Sequence, residues 1–315
     1  MRNLVDNLSV RLPSHVDLLL QDELTHASLL KPNGRPRKYP VVSIVHNLRS
    51  SERRPRWQNA VYGAIEKRYL ESVDGLVFNS DATRDSVRCG LGVDRPFVVA
   101  APGGDRLGSW TATEVHARAF EPGPLRIIFL ANLTPLKGLQ VLLETLSALP
   151  REQFELDIVG SCDVDKGYAD AMRRQALQLG ARVIFHGALD GEPLIERLRR
   201  AQVMAIPSYY EGFGIAYVEG MAFGLPSIGV ATGAVPEIIF PGENGFLIPP
   251  GDFQSLAKYL SLLGSDRNQL ARMAESALRN FKSRPTWEAS GEAVRRFLLT
   301  LLDSGWSKGR DGRAQ

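Results

Sequence analysis

Two glutamates stand eight positions apart around a Gly-Phe-Gly loop in the segment EGFGIAYVE, residues 211 to 219. An ionised carboxylate only accepts hydrogen bonds, so Glu211 and Glu219 suit hydroxyl donors, such as those of a ribose or a hexose, and cannot hold a phosphate. The glycines between them suit the phosphate. Ahead of the loop, residues 203 to 206 form a short apolar run closed by Pro207 and Ser208, the pattern of a buried parallel strand ending in a loop. Behind it, Ile215, Val218, Met221 and Ala222 recur at helical spacing, which predicts a helix beginning near Gly214 with Glu219 inside it. Free amides at such a helix start, added to the positive end of its dipole, attract an anion. Gly212 and Gly214 would let a diphosphate come close. Taken alone, the two glutamates equally fit a solvated face, and Gly-x-Gly after a strand is common.

The elements around this motif follow an alternating pattern. Strands are predicted over 126–130, 154–159, 183–185, 226–230 and 245–248, with helices over 139–149, 167–179, 193–201 and 253–263. Such alternation means a parallel sheet covered on both faces, with ligands at the carboxyl ends of its strands. The first half predicts fewer elements: strands over 16–20, 41–45, 75–78 and 97–100, and a long helix over 57–72. The run EPGP at 121–124 is rich in turn formers and reads as a linker. Trp287, Val294, Phe297, Leu298, Leu301 and Leu302 set an apolar stripe along a final helix over 286–302, and the last residues, rich in glycine and charge, read as a disordered tail.

Composition bounds the possibilities. With 315 residues, 44% of them hydrophobic, the chain suits two globular domains. No apolar stretch approaches the roughly eighteen residues of a spanning helix. Cys89 and Cys162 are the only cysteines and make neither a disulfide framework nor a metal pattern, which points to a reducing cytoplasm. A net charge of +3 is too small to argue for nucleic acid. That charge is unevenly placed: residues 31–68 hold ten Lys or Arg against two Glu. Within them, SSERRPRWQN sets arginines beside Trp57, a composition that suits an anionic membrane surface or a lipid-phosphate acceptor as well as it suits a solvated loop.

Residues 211 to 239 resemble the donor-site signature of retaining glycosyltransferases of family 4, which have the GT-B fold. NLTPLKG at 132–138 resembles that family's phosphate loop, Val159-Gly160 closes a strand as theirs does, and VIFHG at 183–187 resembles the strand ending beside the nucleotide base. VSIVHNL at 42–48 and DGLVFNS at 74–80 have counterparts in the family's first domain. The resemblance implies two Rossmann-like parallel-sheet domains facing a cleft, the first one shortened. It assigns 1–120 to an acceptor-side domain, 121–285 to a donor-binding domain, 286–303 to a crossover helix and 304–315 to the tail. Against that resemblance, the expected arrangement lacks the leading strand and glycine-rich loop usual in the family.

The resemblance also implies the chemistry. A hexose would pass from a UDP- or GDP-sugar to a glycan, lipid-linked or small-molecule hydroxyl by front-face substitution, the departing diphosphate helping to deprotonate the acceptor. Catalysis would come from stabilising that leaving group and holding the donor rigidly. Lys137 is the expected cation facing the diphosphate; Asn132 stands where the family commonly has an arginine. Glu219 matches the ribose-binding glutamate, Glu211 the one near the transferred sugar, and His46 a histidine contacting that sugar. Gly212, Phe213, Gly214 and Ile215 would offer amides, Gly187 would lie by the base, and Glu237 would face the first domain across the cleft; Asn47, Arg49 and Glu52 fall to the acceptor side. No cofactor is expected, and no metal, because Asp22, Glu23 and Asp105 make no tight acidic cluster.

Other readings share parts of this pattern. A nicotinamide dehydrogenase needs Gly-x-Gly-x-x-Gly, but 212–217 ends in Tyr217 and 90–95 in Arg95. An epimerase or phosphorylase on the same fold, and a catalytically impaired binding protein or half-enzyme needing a partner chain, remain as alternatives. The expected location is cytoplasmic, peripheral to the inner membrane face where residues 31–68 engage it.

Overall fold

A computed structural model of the chain describes residues 13, 15–52 and 54–303. It divides into two compact units, one formed by Met1–Pro102 with Trp287–Gln315 and the other by Gly103–Thr286.

The first unit is built on four parallel strands in sequential order: β1 (Leu19–Asp22), β2 (Val41–Val45), β3 (Gly75–Phe78) and β4 (Phe97–Val99). Branched residues favour the pleated strand, and alternation sends Val41 and Val45 to one face of β2 and Val42 to the other. Helices α1 (His26–Asn33) and α2 (Arg56–Leu70) link the first three strands, and a short α3 (Asp81–Asp85) followed by a π-helical turn leads towards β4. Leu29, Leu30, Tyr69 and Leu70 join Val41, Val45, Leu76 and Phe78 in one core. The buried Tyr69 hydroxyl donates to Ser43 Oγ at 3.0 Å, so the polar atom under the sheet is satisfied. The first strand begins three residues later than its sequence suggests. Its ladder opens where Leu19 N donates to Pro40 O at 3.0 Å, and Val16 is left exposed before it.

The second unit carries six parallel strands: β5 (Leu125–Leu130), β6 (Phe154–Val159), β7 (Val183–Gly187), β8 (Val203–Ile206), β9 (Ser227–Val230) and β10 (Gly245–Ile248). Their order is β10-β9-β8-β5-β6-β7, so the direction of winding reverses between β5 and β8. Helix α4 (Ala112–Ala119) precedes the sheet. Then α5 (Leu139–Ser147), α6 (Lys166–Leu177), α7 (Gly191–Arg200) and α8 (Ile215–Ala222) alternate with strands, and α9 (Phe253–Ser265) and α10 (Arg267–Ser283) close the unit. Both faces are covered, which is why β8 and β10 read as continuous apolar runs.

The boundary between the units differs from the sequence reading. The units part at Pro102/Gly103, and EPGP at 121–124 is a turn inside the second unit. The reason is α4, which the sequence analysis did not mark. Val115 packs with Ala274 and Leu278, and the buried Arg118 guanidinium donates to Gly224 O at 2.8 Å and Leu198 O at 3.3 Å. Burial pushes the Arg118 guanidinium down to about 9. The chain ends its described course in α11 (Trp287–Asp303), which belongs with the first unit: Val294, Phe297, Leu298 and Leu301 pack on Val42 and Val77, the sheet face opposite α1 and α2. The expected tail at 304–315 lies outside the described residues. Helices α1, α3 and α10 are likewise absent from the sequence reading.

Candidate functional site

On a parallel sheet, the loops leaving two adjacent strands separate where the winding reverses, and that gap is where ligands bind. In the second unit these are the loops after β5 and β8. Glycines allow their close approach. Gly138, at φ +75°, begins α5, and a Cβ there would lie 2.0 Å from Pro207 O. Tyr209 N donates to Leu136 O at 2.8 Å, which fastens the second loop to the first. Gly160, after β6, would place a Cβ 1.8 Å from Ala131 O, and Asn132 Oδ1 accepts from Ser161 N at 3.1 Å. Asn132 therefore ties two loops together. Gly187, at φ +73°, lies at the end of β7 and its carbonyl accepts from Gly160 N at 2.8 Å.

Lys137 and Glu211 meet across this gap. Lys137 Nζ donates to Glu211 Oε2 at 2.7 Å, with both side chains partly buried. Ser208 Oγ lies 3.4 Å from the same oxygen. The Glu211 backbone is gripped from behind: Ala234 N donates to Glu211 O at 3.1 Å, and a Cβ on Gly233 would lie 1.9 Å from that oxygen. The loop after β9 thus sets Glu211, and it ends in the 3-10 turn Val235–Glu237. Glu237 sits there half-buried, its carbonyl accepting from Arg284 at 3.2 Å.

Gly214 caps α8 in the left-handed region at φ +97°, with no side chain capping the first turn. A Cβ at Gly214 would press within 2.7 Å of Tyr217 Cδ2. Phe213 is buried and anchors the loop. Tyr217 donates from its hydroxyl to Ile206 O at 2.7 Å, binding α8 to the end of β8; full burial holds this phenol well above its usual range. Gly212, Gly214 and Ile215 therefore stand at the head of a helix that opens at the switch point.

Glu219 lies in α8 and is 6% exposed. Its partner within the protein is Arg106, whose Nε donates to Glu219 Oε1 at 2.8 Å. The same guanidinium also pairs with Asp190 at the start of α7. Burial raises the Glu219 carboxyl, the Arg106 charge and hydrogen bond oppose that rise, and Asp190 adds to it. Sequence reasoning matched Glu219 to a ribose-binding glutamate and did not find Arg106. The signal was weak: Gly103-Gly104 precedes it, and a Cβ on Gly104 would meet Val218 Cγ1 at 2.6 Å, so the turn docks directly on α8.

His46 belongs to the first unit, just past β2. Its Nε2 lies 3.4 Å from Asp22 Oδ2, and Asn79 donates to its carbonyl at 2.8 Å. Asp22 was not singled out for this role. Beneath it, Glu23 is fully buried, with His26 Nδ1 3.8 Å from its Oε1, and burial pushes it up to about 7. A second cluster also escaped the sequence reading: His186 lies 2.7 Å from the buried Asp157, which also accepts from Arg200 at 2.7 Å.

A parallel sheet of four strands, a second of six, and a charged pair at the reversal of the second define a Rossmann-like α/β protein of the GT-B type, with the first sheet shorter than the second. The chain belongs to the glycosyl transferases group 1 family, whose model matches residues 112–280. It is 29% identical over 255 residues to a D-inositol 3-phosphate glycosyltransferase of Corynebacterium efficiens, covering 77% of this chain and 58% of that protein. It is 28% identical over 272 residues to an MMP alpha-(1->4)-mannosyltransferase of Mycolicibacterium hassiacum, covering 80% and 63%. The chain therefore spans less than two thirds of the length of these relatives. In fold it is similar to a sucrose-phosphate synthase from Thermosynechococcus elongatus, with TM-score 0.78 and 23% identity over 91% of this chain and 74% of that one. It is likewise similar to Anabaena HepE solved with UDP-glucose, with TM-score 0.74 and 21% identity over 91% and 79%.

Proposed function

We propose that the chain is a retaining, metal-independent glycosyltransferase of family 4 that moves a hexose from a UDP- or GDP-sugar to an acceptor hydroxyl. The observation that carries the proposal is the Lys137–Glu211 pair at the head of α8, where the sheet reverses. Lys137 would meet the diphosphate and take up charge as it leaves, supported by the amides from Gly212 to Ile215. Glu211, released from part of its pairing with Lys137, would orient the sugar and support the developing oxocarbenium. Glu219 would accept from the ribose hydroxyls, with Arg106 opposing the effect of its burial. His46 would contact the transferred sugar, Gly187 would lie by the base, and Glu237 would complete the cleft.

Front-face transfer needs no protein nucleophile, since the departing diphosphate receives the acceptor proton. The pairing of His46 with Asp22 favours one second reading, in which an imidazole oriented by a carboxylate acts as base and the product is inverted. The expected setting is cytoplasmic, with residues 31–68 turned towards an anionic membrane surface.

Calorimetry against UDP- and GDP-sugars, including the UDP-glucose found in the Anabaena neighbour, tests donor binding. Wild type should bind one of them and Glu219→Ala should bind it at least tenfold more weakly. No binding to any sugar nucleotide would refute the proposal and leave the half-enzyme alternative, whereas binding without transfer would favour the impaired binding protein. Product NMR should give the anomeric configuration of the donor; inversion would favour the His46 base. Free sugar phosphate or an epimerised nucleotide as product would favour the phosphorylase or epimerase alternative. Activity should survive EDTA.

A further inference from the structure

The first unit holds a cavity of about 510 Å³ at the carboxyl ends of β1 and β2, walled by Leu24, Trp57, Val61, Tyr62 and Ile65, with Arg49 in its lining. Its size falls in the range of small-ligand pockets. Three of its apolar side chains are left in water, Trp57 at 68% exposure and Leu24 and Val61 each at 53%. Large apolar groups concentrated around one concavity mark a binding surface more than they mark an ordinary exterior.

The charge beside it is positive and unbalanced. Among the described residues the Arg49 guanidinium makes no hydrogen bond or ion pair. Arg56 opens α2, is exposed, and the first turn of that helix has no acidic residue. On the side of α2 the acids are occupied: Glu52 pairs with Arg54, which lies 4.9 Å over the Tyr62 ring, and the buried Glu66 accepts from Arg49 N at 2.6 Å and from Ser50 Oγ at 2.5 Å. An apolar cavity beside uncompensated arginines complements a molecule with an apolar chain and an anionic head.

The cavity also adjoins the residues given to chemistry in this unit. Asp22 Oδ1 accepts from Leu24 N at 2.8 Å, so the turn that forms one wall is fixed by the carboxylate that faces His46. Strand ends of a parallel sheet are where its ligands sit. We propose that the cavity seats the alkyl or prenyl chain of an amphiphilic acceptor, whose phosphate is met by Arg49 and Arg56 and whose remaining head reaches towards Asp22 and His46. The acceptor role rests on the transferase reading; the chain-binding cavity does not.

Calorimetry with octyl, decyl and dodecyl phosphate below their critical micelle concentrations tests this, beside alkyl maltosides of equal chain length, inorganic phosphate and vesicles of anionic phospholipid. Affinity should rise with each added methylene, by up to about fourfold, until the cavity is filled. Phosphate heads should bind better than maltosides. Trp57→Ala and Val61→Arg should each weaken binding by about tenfold or more, and Arg49→Gln should remove the preference for phosphate while keeping the dependence on chain length. Titration with the sugar nucleotide on the same variants should be unchanged, and unaltered hydrogen exchange of the β2 and β3 amides verifies that the first unit folds. Equal binding of inorganic and dodecyl phosphate, indifference to both wall variants, or binding to vesicles without binding of monomers would overturn the proposal. Alkyl phosphate binding by a chain that binds no sugar nucleotide would remove the transferase reading and leave the cavity assignment standing.

Discussion

Glu23 offers a quantitative test of how the first unit supports its chemistry. The carboxyl is fully buried beside Asp22, and its pKa is pushed from 4.5 to about 7, chiefly by burial and then by the charges of Glu66 and Asp22, with the backbone of Asn47 and His46 opposing. A folded-state pKa above the unfolded value means that the folded state holds its proton more tightly. Stability from this group is therefore fully present below pH 4.5 and is lost as pH rises through about 7. At about 1.4 kcal/mol per unit, the shift amounts to roughly 3 kcal/mol. Glu23→Gln replaces the protonated acid with a neutral group of similar shape. The variant should match wild type near pH 4, gain on it through the window from 4.5 to 7, and be more stable by about 3 kcal/mol at pH 8. Urea unfolding of the first unit, followed by hydrogen exchange of the β2 and β3 amides over this pH range, reads the difference directly. A difference independent of pH, or wild-type stability that rises across the window, would refute the assignment of the cost to charging Glu23.

Two further outcomes concern the second unit. Arg106→Gln removes the charge that opposes the rise of the Glu219 carboxyl, so its pKa should move further up and less of it should be ionised near neutrality. Binding of the sugar nucleotide should weaken about tenfold at pH 7 and recover towards pH 9, whereas a loss equal at every pH would give Arg106 a merely structural role. Gly138→Ala places a Cβ against Pro207 O in a residue held at φ +75°, and should destabilise the second unit by about 3 kcal/mol, measured by denaturant unfolding. Unchanged stability would mean that the loops after β5 and β8 are not held together as described.

Local pattern carried far in this chain because most of its strands are buried on both faces. Val41–Val45, Gly75–Phe78, Phe154–Val159, Val203–Ile206 and Gly245–Ile248 match their sequence-predicted bounds, most of them short, mainly apolar runs and Phe154–Val159 an alternating one. The helix start at Gly214 was legible for the same reason, with apolar spacing changing from strand to helix across two glycines. Where burial alternates less clearly the reading failed. Strand β1 is an edge strand with a single buried residue, and its bounds were misplaced. Helix α4 was missed, and with it the boundary between the units, because its attachment depends on Arg118 reaching carbonyls 80 and 106 positions away.

The sequence by itself determined the alternation of elements and the two parallel sheets, and it singled out Lys137, Glu211 and Glu219 as candidates by residue type and spacing. Only the tertiary structure decided their partners. The strand order β10-β9-β8-β5-β6-β7 brings Lys137 to Glu211 across 74 positions, and docking of the Gly104 turn on α8 brings Arg106 to Glu219 across 113. Periodicity records which face of an element is apolar. It carries no information on which loops the order of the strands will set side by side.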